Sequence, residues 1–188
     1  MLEEYNNKRN FRLTPEPSGN SDIEINLKDI SSRISNDDCR FVIQKHDATK
    51  LHYDFRLESK RKGVLISWAV PKGPSLDPKV KRLAILTEDH PIDYLLFEGY
   101  IPKGNYGAGS VIVWDTGTYT LEKAQQDVKN DQREIKEDVS DQFKKGKINF
   151  ILFGQRLRGK FSIIKTIKDN QWLLIKSKDE FSINSSNI

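Results

Sequence analysis

The sequence predicts a mainly β protein: a small closed or nearly closed β-barrel of about eight strands, with a short helical insertion and an N-terminal arm. Two observations lead there. Short runs rich in β-branched and aromatic residues recur along the chain, separated by clusters of Gly, Pro, Asp and Asn. Against them stands a single stretch, 121–147, whose apolar residues recur at near-helical spacing. No internal repeat or low-complexity tract interrupts this pattern.

Residues 1–38 read as the arm. Its segment Thr14-Pro15-Glu16-Pro17-Ser18-Gly19-Asn20-Ser21 has the chemistry of turns and linkers and offers little to a core. The barrel domain is expected over 39–188. Its strands are predicted at 41–46, 51–58, 64–70, 82–88 and 110–115, then at 148–153, 160–167 and 171–176. Asp169-Asn170 supplies a hairpin turn between the last two. Segment 121–147 holds seven acidic and seven basic residues, with Leu121, Val128, Ile135, Val139 and Phe143 as a thin apolar stripe. That composition suits one or two charged helices lying on the surface.

Composition excludes several classes. In 188 residues, 36% are apolar and 31% charged, and mean hydropathy is −0.65. No apolar run approaches the roughly 20 residues that span a bilayer, so no membrane association is expected. Glu3 and Glu4 open the chain with no apolar stretch behind them, and no secretory signal is visible. Cys39 is the single cysteine, which excludes a disulfide framework and a multi-cysteine zinc site. A reducing, cytoplasmic location is the expectation. The net charge of +4 permits a polyanionic partner without requiring one.

One strand carries chemistry. In segment 51–58, Leu51, Tyr53, Phe55 and Leu57 share one face, and His52, Asp54, Arg56 and Glu58 share the other. A half-buried strand with a polar exterior has the same alternation. Here, however, imidazole, carboxylate and guanidinium follow one another on that exterior. His52 and Asp54 are good ligands for a divalent metal, and Arg56 suits an anionic substrate. His46 lies across the turn Asp47-Ala48-Thr49-Lys50, so a hairpin there brings His46, His52 and Asp54 toward one ion. Further on, Arg82, Glu88 and His90 have the same parity and would share a face in a regular strand. Lys72 sits on a loop stiffened by Pro71, Gly73 and Pro74. Taken alone, it reads as a solvated loop lysine.

Other patterns compete. Lys45-His46-Asp47-Ala48 is close to the Lys-x-Asp-Gly nucleotidyltransferase motif, but Ala48 replaces the glycine. Gly104-Asn105-Tyr106-Gly107-Ala108-Gly109 has the glycines of a phosphate loop, but lacks the Gly-Lys-Ser/Thr ending and precedes a strand. It reads as a tight barrel turn. His52, Asp54 and His90 also have the make-up of a two-histidine, one-carboxylate iron oxygenase site. A non-catalytic nucleic-acid-binding barrel is a further alternative, using aromatic residues such as Trp68 and Tyr106.

The run from Phe41 through His46, His52, Asp54 and Arg56 to Glu58 resembles the 3′-phosphoesterase domain of bacterial ligase D. So do Ser67 to Pro78 around Lys72, Lys81-Arg82-Leu83-Ala84, Glu88-Asp89-His90-Pro91-Ile92-Asp93-Tyr94, and Phe97 to Gly109 with Trp114-Asp115. The likeness is dense over 41–119 and thin elsewhere. In ligase D this domain is fused to polymerase and ligase modules, for which this chain is too short. It is expected to be a stand-alone version and a monomer, with separate polymerase and ligase repair proteins as partners.

The resemblance implies a β-barrel enzyme that heals DNA 3′ ends. Such an enzyme removes a 3′-terminal ribonucleoside by phosphodiester hydrolysis, then removes the remaining 3′-phosphate to leave a hydroxyl. Its cofactor is a divalent metal, typically Mn2+, and its substrates are DNA or DNA–RNA primer-template 3′ ends. Carried over, the metal ligands would be His46, His52 and Asp54. Arg56 and His90 would contact the phosphate, and Lys72, Arg82, Glu88 and Tyr94 would complete the catalytic site. Arg9 and Glu16 of the arm match positions near the substrate, so the arm is expected to be partly ordered over the active site. Asn10 departs from the family, which has an acidic residue there. The turn 59–63 is about two residues longer than usual, and 121–147 is an insertion.

Overall fold

The computed structural model describes residues 2–19, 39–122 and 137–184. Among these residues, ten strands make one antiparallel sheet. They are β1 Cys39–Asp47, β2 Leu51–Ser59, β3 Val64–Val70, β4 Lys81–Leu86, β5 His90–Pro91, β6 Gly99–Ile101, β7 Gly109–Leu121, β8 Lys147–Gly154, β9 Arg158–Lys165 and β10 Gln171–Lys176. Eight of them close a barrel in the order β1-β2-β3-β4-β10-β9-β8-β7, with β7 returning to pair β1. Outside the ring, β5 pairs β3 and β6 pairs β7. The mainly β barrel expected from the strand count is the fold observed.

Alternation assigns the two faces of each strand. Phe41, Phe55, Trp68, Phe150, Phe161 and Trp172 point inward and form the barrel core. Burying each such ring contributes about 1.5–3 kcal/mol, which makes this the main source of stability. The outer faces of β1 and β3 would ordinarily meet water. Here they carry Val42 and Leu65, which join Tyr5, Tyr94 and Leu95 in a second apolar cluster. Tyr5 belongs to helix α1, Glu3–Asn7, and Tyr94 to a 3-10 turn, Ile92–Leu96. A second layer therefore lies over part of the barrel wall, and polar residues of β2 such as Asp54 and Arg56 are buried beneath it.

Helix α1 and strands β5 and β6 are additional to the sequence reading, and three further elements differ from it. The strand expected at 82–88 ends at Leu86, and Glu88 and Asp89 are irregular before β5. The strand expected at 110–115 runs from Gly109 to Leu121, because it pairs β6 and β8 on one side and β1 on the other. The register of β1 and β7 shifts between Ile43 and Gln44, a bulge that accommodates the barrel's bend. Of the helical insertion, Val128 and Ile135 lie outside the described residues. Its described part is helix α2, Val139–Lys144. A capping box starts it: Asp138 accepts from Ser140 N, and Asp141 accepts from Asp138 N. The Asp138 carboxylate also accepts from Ser59 Oγ at 2.6 Å, tying α2 to the end of β2.

Candidate active site

The β1–β2 hairpin sets His46 opposite His52 and Gln44 opposite Asp54. All four side chains project to the outer face. One ligand atom each from His46, His52 and Asp54 falls within 4.8 Å of the others. Asp54 is the centre: its Oδ2 lies 3.3 Å from His46 Nδ1, and its Oδ1 lies 3.5 Å from His52 Nε2. The remaining ring nitrogens are fixed by main-chain carbonyls. His46 Nε2 donates to Gly107 O at 2.8 Å, and His52 Nδ1 donates to Lys50 O at 2.9 Å. Those bonds leave His46 Nδ1 and His52 Nε2 as lone pairs turned toward the carboxylate. Two imidazoles, each oriented by a carbonyl, beside an ionised carboxylate are the donor set of a divalent metal site, and the residues fit one.

Charges around Asp54 keep it ionised. Burial raises its proton affinity, but Arg56, His46 and His52 outweigh that and hold the carboxyl well below its ordinary range. The Asp54 carboxylate beside it in turn raises the proton affinity of the His52 imidazole, against the opposing effect of burial.

Arg56 occupies the next outward position of β2. Its Nε donates to Gln44 Oε1 at 2.9 Å and its Nη2 lies 3.1 Å from Asp54 Oδ2. Gln44 is held by the carbonyls of Tyr94 and Phe97, and the guanidinium lies over the Tyr94 ring. Arg56 Nη1 is buried with no hydrogen-bond partner among the described residues. A donor so placed is a demand for an anion.

The second layer supplies the facing wall. Arg9 Nε donates to Glu16 Oε1 and Arg9 Nη1 to Glu88 Oε1, each at 2.8 Å. Tyr94 Oη donates to the same Glu16 oxygen at 2.8 Å, and Thr14 Oγ1 to the other. Lys8 reaches Glu88 Oε2 at 3.1 Å. Burial opposes ionisation of Glu88, but hydrogen bonds from Arg9 and Lys8 lower its pKa. His90 Nδ1 donates to Glu88 O at 2.8 Å, so Nε2 is its acceptor, 3.4 Å from Arg9 Nη2. Burial, Arg56 and Arg9 together push the His90 pKa well below its usual value, and the ring is neutral.

A pocket of about 280 Å³ lies between these walls. Of the eleven site residues named from the sequence, nine line it: Arg9, Glu16, His46, His52, Asp54, Arg56, Glu88, His90 and Tyr94. Lys72 and Arg82 do not. Lys72 is exposed on the loop after β3. Arg82 shares the face of β4 that carries Ala84 and so turns toward the barrel interior. The expected common face of Arg82, Glu88 and His90 is lost because regular pairing stops at Leu86. Strand register (Tyr53 opposite Val70, Ala69 opposite Ile85) sets Lys72 and Arg82 at the barrel end that bears His52.

The sequence reading missed Gln44, the orienting carbonyl of Gly107, and Lys8. Gln44 left a signal, since it shares the parity of His46. Gly107 was assigned to a barrel turn. Its positive φ of 72° is what a side chain would resist, and the turn carries a wall of the pocket.

Comparison with known proteins bears on this arrangement. Residues 44–165 match the DNA Ligase D 3′-phosphoesterase domain. The chain belongs to that family. It is 48% identical over 181 residues to the multifunctional non-homologous end joining protein LigD of Pseudomonas aeruginosa, covering 95% of this chain and 19% of that protein. Over 179 residues it is 41% identical to the protein of the same name from Mycolicibacterium smegmatis and 40% to that of Mycobacterium bovis, covering 95% of this chain and 21% and 20% of those proteins. The chain thus spans about a fifth of each ligase D relative. Family membership makes it a hydrolase of phosphoester bonds. Among the described residues, no helix is long and apolar enough to cross a membrane.

Proposed function

We propose that the protein is a manganese-dependent healing enzyme for DNA 3′ ends. It removes a 3′-terminal ribonucleoside by diester hydrolysis and then the resulting 3′-phosphate, leaving a hydroxyl for repair. One observation carries the reading: a buried arginine, Arg56, has an unpartnered donor and sits against a carboxylate that two oriented imidazoles share. That pairing of a cation-binding cluster with an anion-binding guanidinium suits a phosphate held between them.

His46 Nδ1, His52 Nε2 and Asp54 would hold the ion. The two imidazoles favour a transition metal over calcium or magnesium, and the carboxylate suits manganese. When bound, a divalent cation neutralises charge on a phosphate oxygen and makes phosphorus more electrophilic. Arg56 donates to a second oxygen and is kept in line by Gln44. His90 starts neutral and so accepts a proton before it donates one. An anionic phosphate beside it raises its proton affinity and readies Nε2–H for the leaving oxygen. Arg9, Glu16, Glu88 and Tyr94 position that wall, while Lys72 serves the nucleic acid from the rim and Arg82 supports the same barrel end from its interior face. Separate polymerase and ligase proteins are the fitting partners.

An iron-oxygenase triad of His52, Asp54 and His90 is less well supported, since the converging cluster contains His46 and His90 faces Arg9. The test is to incubate the protein with manganese and a labelled primer-template ending in one ribonucleotide. Stepwise 3′ shortening, first to a phosphate and then to a hydroxyl, is expected. An unaltered primer would overturn the reading.

A further inference from the structure

Building on the phosphoesterase reading, we propose that Tyr106 forms a nucleobase subsite at the pocket mouth. It stacks the base of the nucleoside whose 3′ oxygen carries the bound phosphate. Two tyrosines line the pocket: Tyr94 is buried, whereas Tyr106 is 49% exposed. Lys8 Nζ lies 4.9 Å and the Arg9 guanidinium carbon 5.5 Å from the Tyr106 ring centroid. A half-exposed aromatic ring beside an accessible cation is how proteins hold unpaired nucleotides, the ring taking the base and Lys8 the backbone, while buried Arg9 holds the ring's inner side.

The ring is also positioned with respect to the reacting group. Tyr106 lies in a turn closed by bonds from Asn105 N to Pro102 O and from Ala108 N to Asn105 O, each 3.2 Å. The next residue, Gly107, accepts the His46 hydrogen bond through its carbonyl. A Cβ at Gly109 would collide with the Asp47 carbonyl, so the turn packs directly on the β1–β2 hairpin that carries the ligands. The base platform and the metal cluster therefore share one rigid support. The nucleoside on the 5′ side of the phosphate is chosen because it is present in both the diester and the monoester steps.

The experiment uses 3′-phosphorylated primer-templates whose last nucleoside carries a base or is abasic. Parent, Tyr106→Ala and Tyr106→Trp are compared for kcat and KM. Equilibrium binding in chelator is measured alongside, since it needs no turnover. Removing the base should raise the parent's KM and dissociation constant about tenfold, the scale of one base–aromatic stack. Tyr106→Ala should show that same rise on the normal substrate and no further rise on the abasic one, while Tyr106→Trp restores discrimination. Manganese titration of Tyr106→Ala should match the parent, showing that the turn is intact. Equal losses on both substrates would overturn the subsite. So would a base effect confined to a leaving 3′-terminal ribonucleoside. Absence of hydrolysis by the parent would overturn only the phosphoesterase reading, because the binding comparison stands without it.

Discussion

Arg56 spans Gln44 and Asp54 with two of its nitrogens and holds the third without a partner among the described residues. Only a planar fork can do all three. A lysine ammonium reaches one of those partners and surrenders the others. Arg56→Lys should therefore reduce turnover by about 100-fold or more, the scale of losing an aligned transition-state donor. Metal titration of the same variant should stay close to the parent, because Asp54 keeps its two imidazoles. Parent-like turnover would remove Arg56 from the phosphate site. His90 gives a pH prediction. Its folded pKa is depressed below the ordinary 6.5, so the unfolded chain takes up the proton first as pH falls. Its contribution to stability is thus complete above 6.5 and declines as pH drops through that value toward the folded one. Denaturant midpoints in buffers above and below 6.5 should diverge less for His90→Gln than for the parent. Much of this site was legible at the residue scale. Period-2 alternation and one short turn brought His46, His52 and Asp54 together. Tyr94 was reachable only through family resemblance, since no spacing rule predicts which 3-10 turn folds back over the barrel.

At the scale of elements, the arm segment 2–19 is part of the pocket wall. Tyr5 packs edge-on to His90 and Tyr94, and its hydroxyl donates to Pro17 O. Arg9 is the main electrostatic tie: its side chain is 4% exposed and bridges Glu16 and Glu88, which are as fully buried. Arg9→Ala would leave Glu16 buried without its cation and Glu88 with Lys8 alone, a change that costs about 3–5 kcal/mol when a buried pair is broken. The barrel has its own core, so release of the arm relieves that penalty more cheaply than global unfolding. Limited proteolysis should cleave Arg9→Ala within the arm while circular dichroism of the barrel is retained. An arm as resistant as the parent's would assign its anchoring to Tyr5 instead. Pro and polar residues made this segment read as a linker, and locally they do form turns. Thr14 and Glu16 are nevertheless buried, because a hydrogen-bonded network with Arg9 and Tyr94 satisfies them. A network assembled from distant parts of the chain leaves no periodic trace. Arg82 shows the converse error: its parity with His90 was sound only for a strand that continues past Leu86.

For the whole molecule, the barrel makes the metal cluster a property of the folded state alone. His46 and Asp54 come from two strands of a closed ring, and Gly107 and Lys50 orient the imidazoles from two different turns. The unfolded chain has none of these relations, so an ion that binds the cluster stabilises the fold by mass action. At a free manganese concentration about 100 times the dissociation constant, the gain is roughly 2.7 kcal/mol. For a chain of this size that raises the melting temperature by roughly 5–10 °C, and chelator should reverse the rise. Asp54→Asn is the informative control. The amide keeps the volume and polarity beneath the second layer, but removes the charge that offsets a divalent cation. That variant should melt cooperatively, show no manganese-dependent rise, and carry out neither the diester nor the monoester step. The two readouts separate the causes, since a melting shift needs only binding whereas hydrolysis also needs Arg56 and His90. If the parent shows no shift at saturating manganese and still trims primers in chelator, the three ligands form a hydrogen-bonded structural cluster, and Arg56 with His90 must then perform the chemistry without an ion.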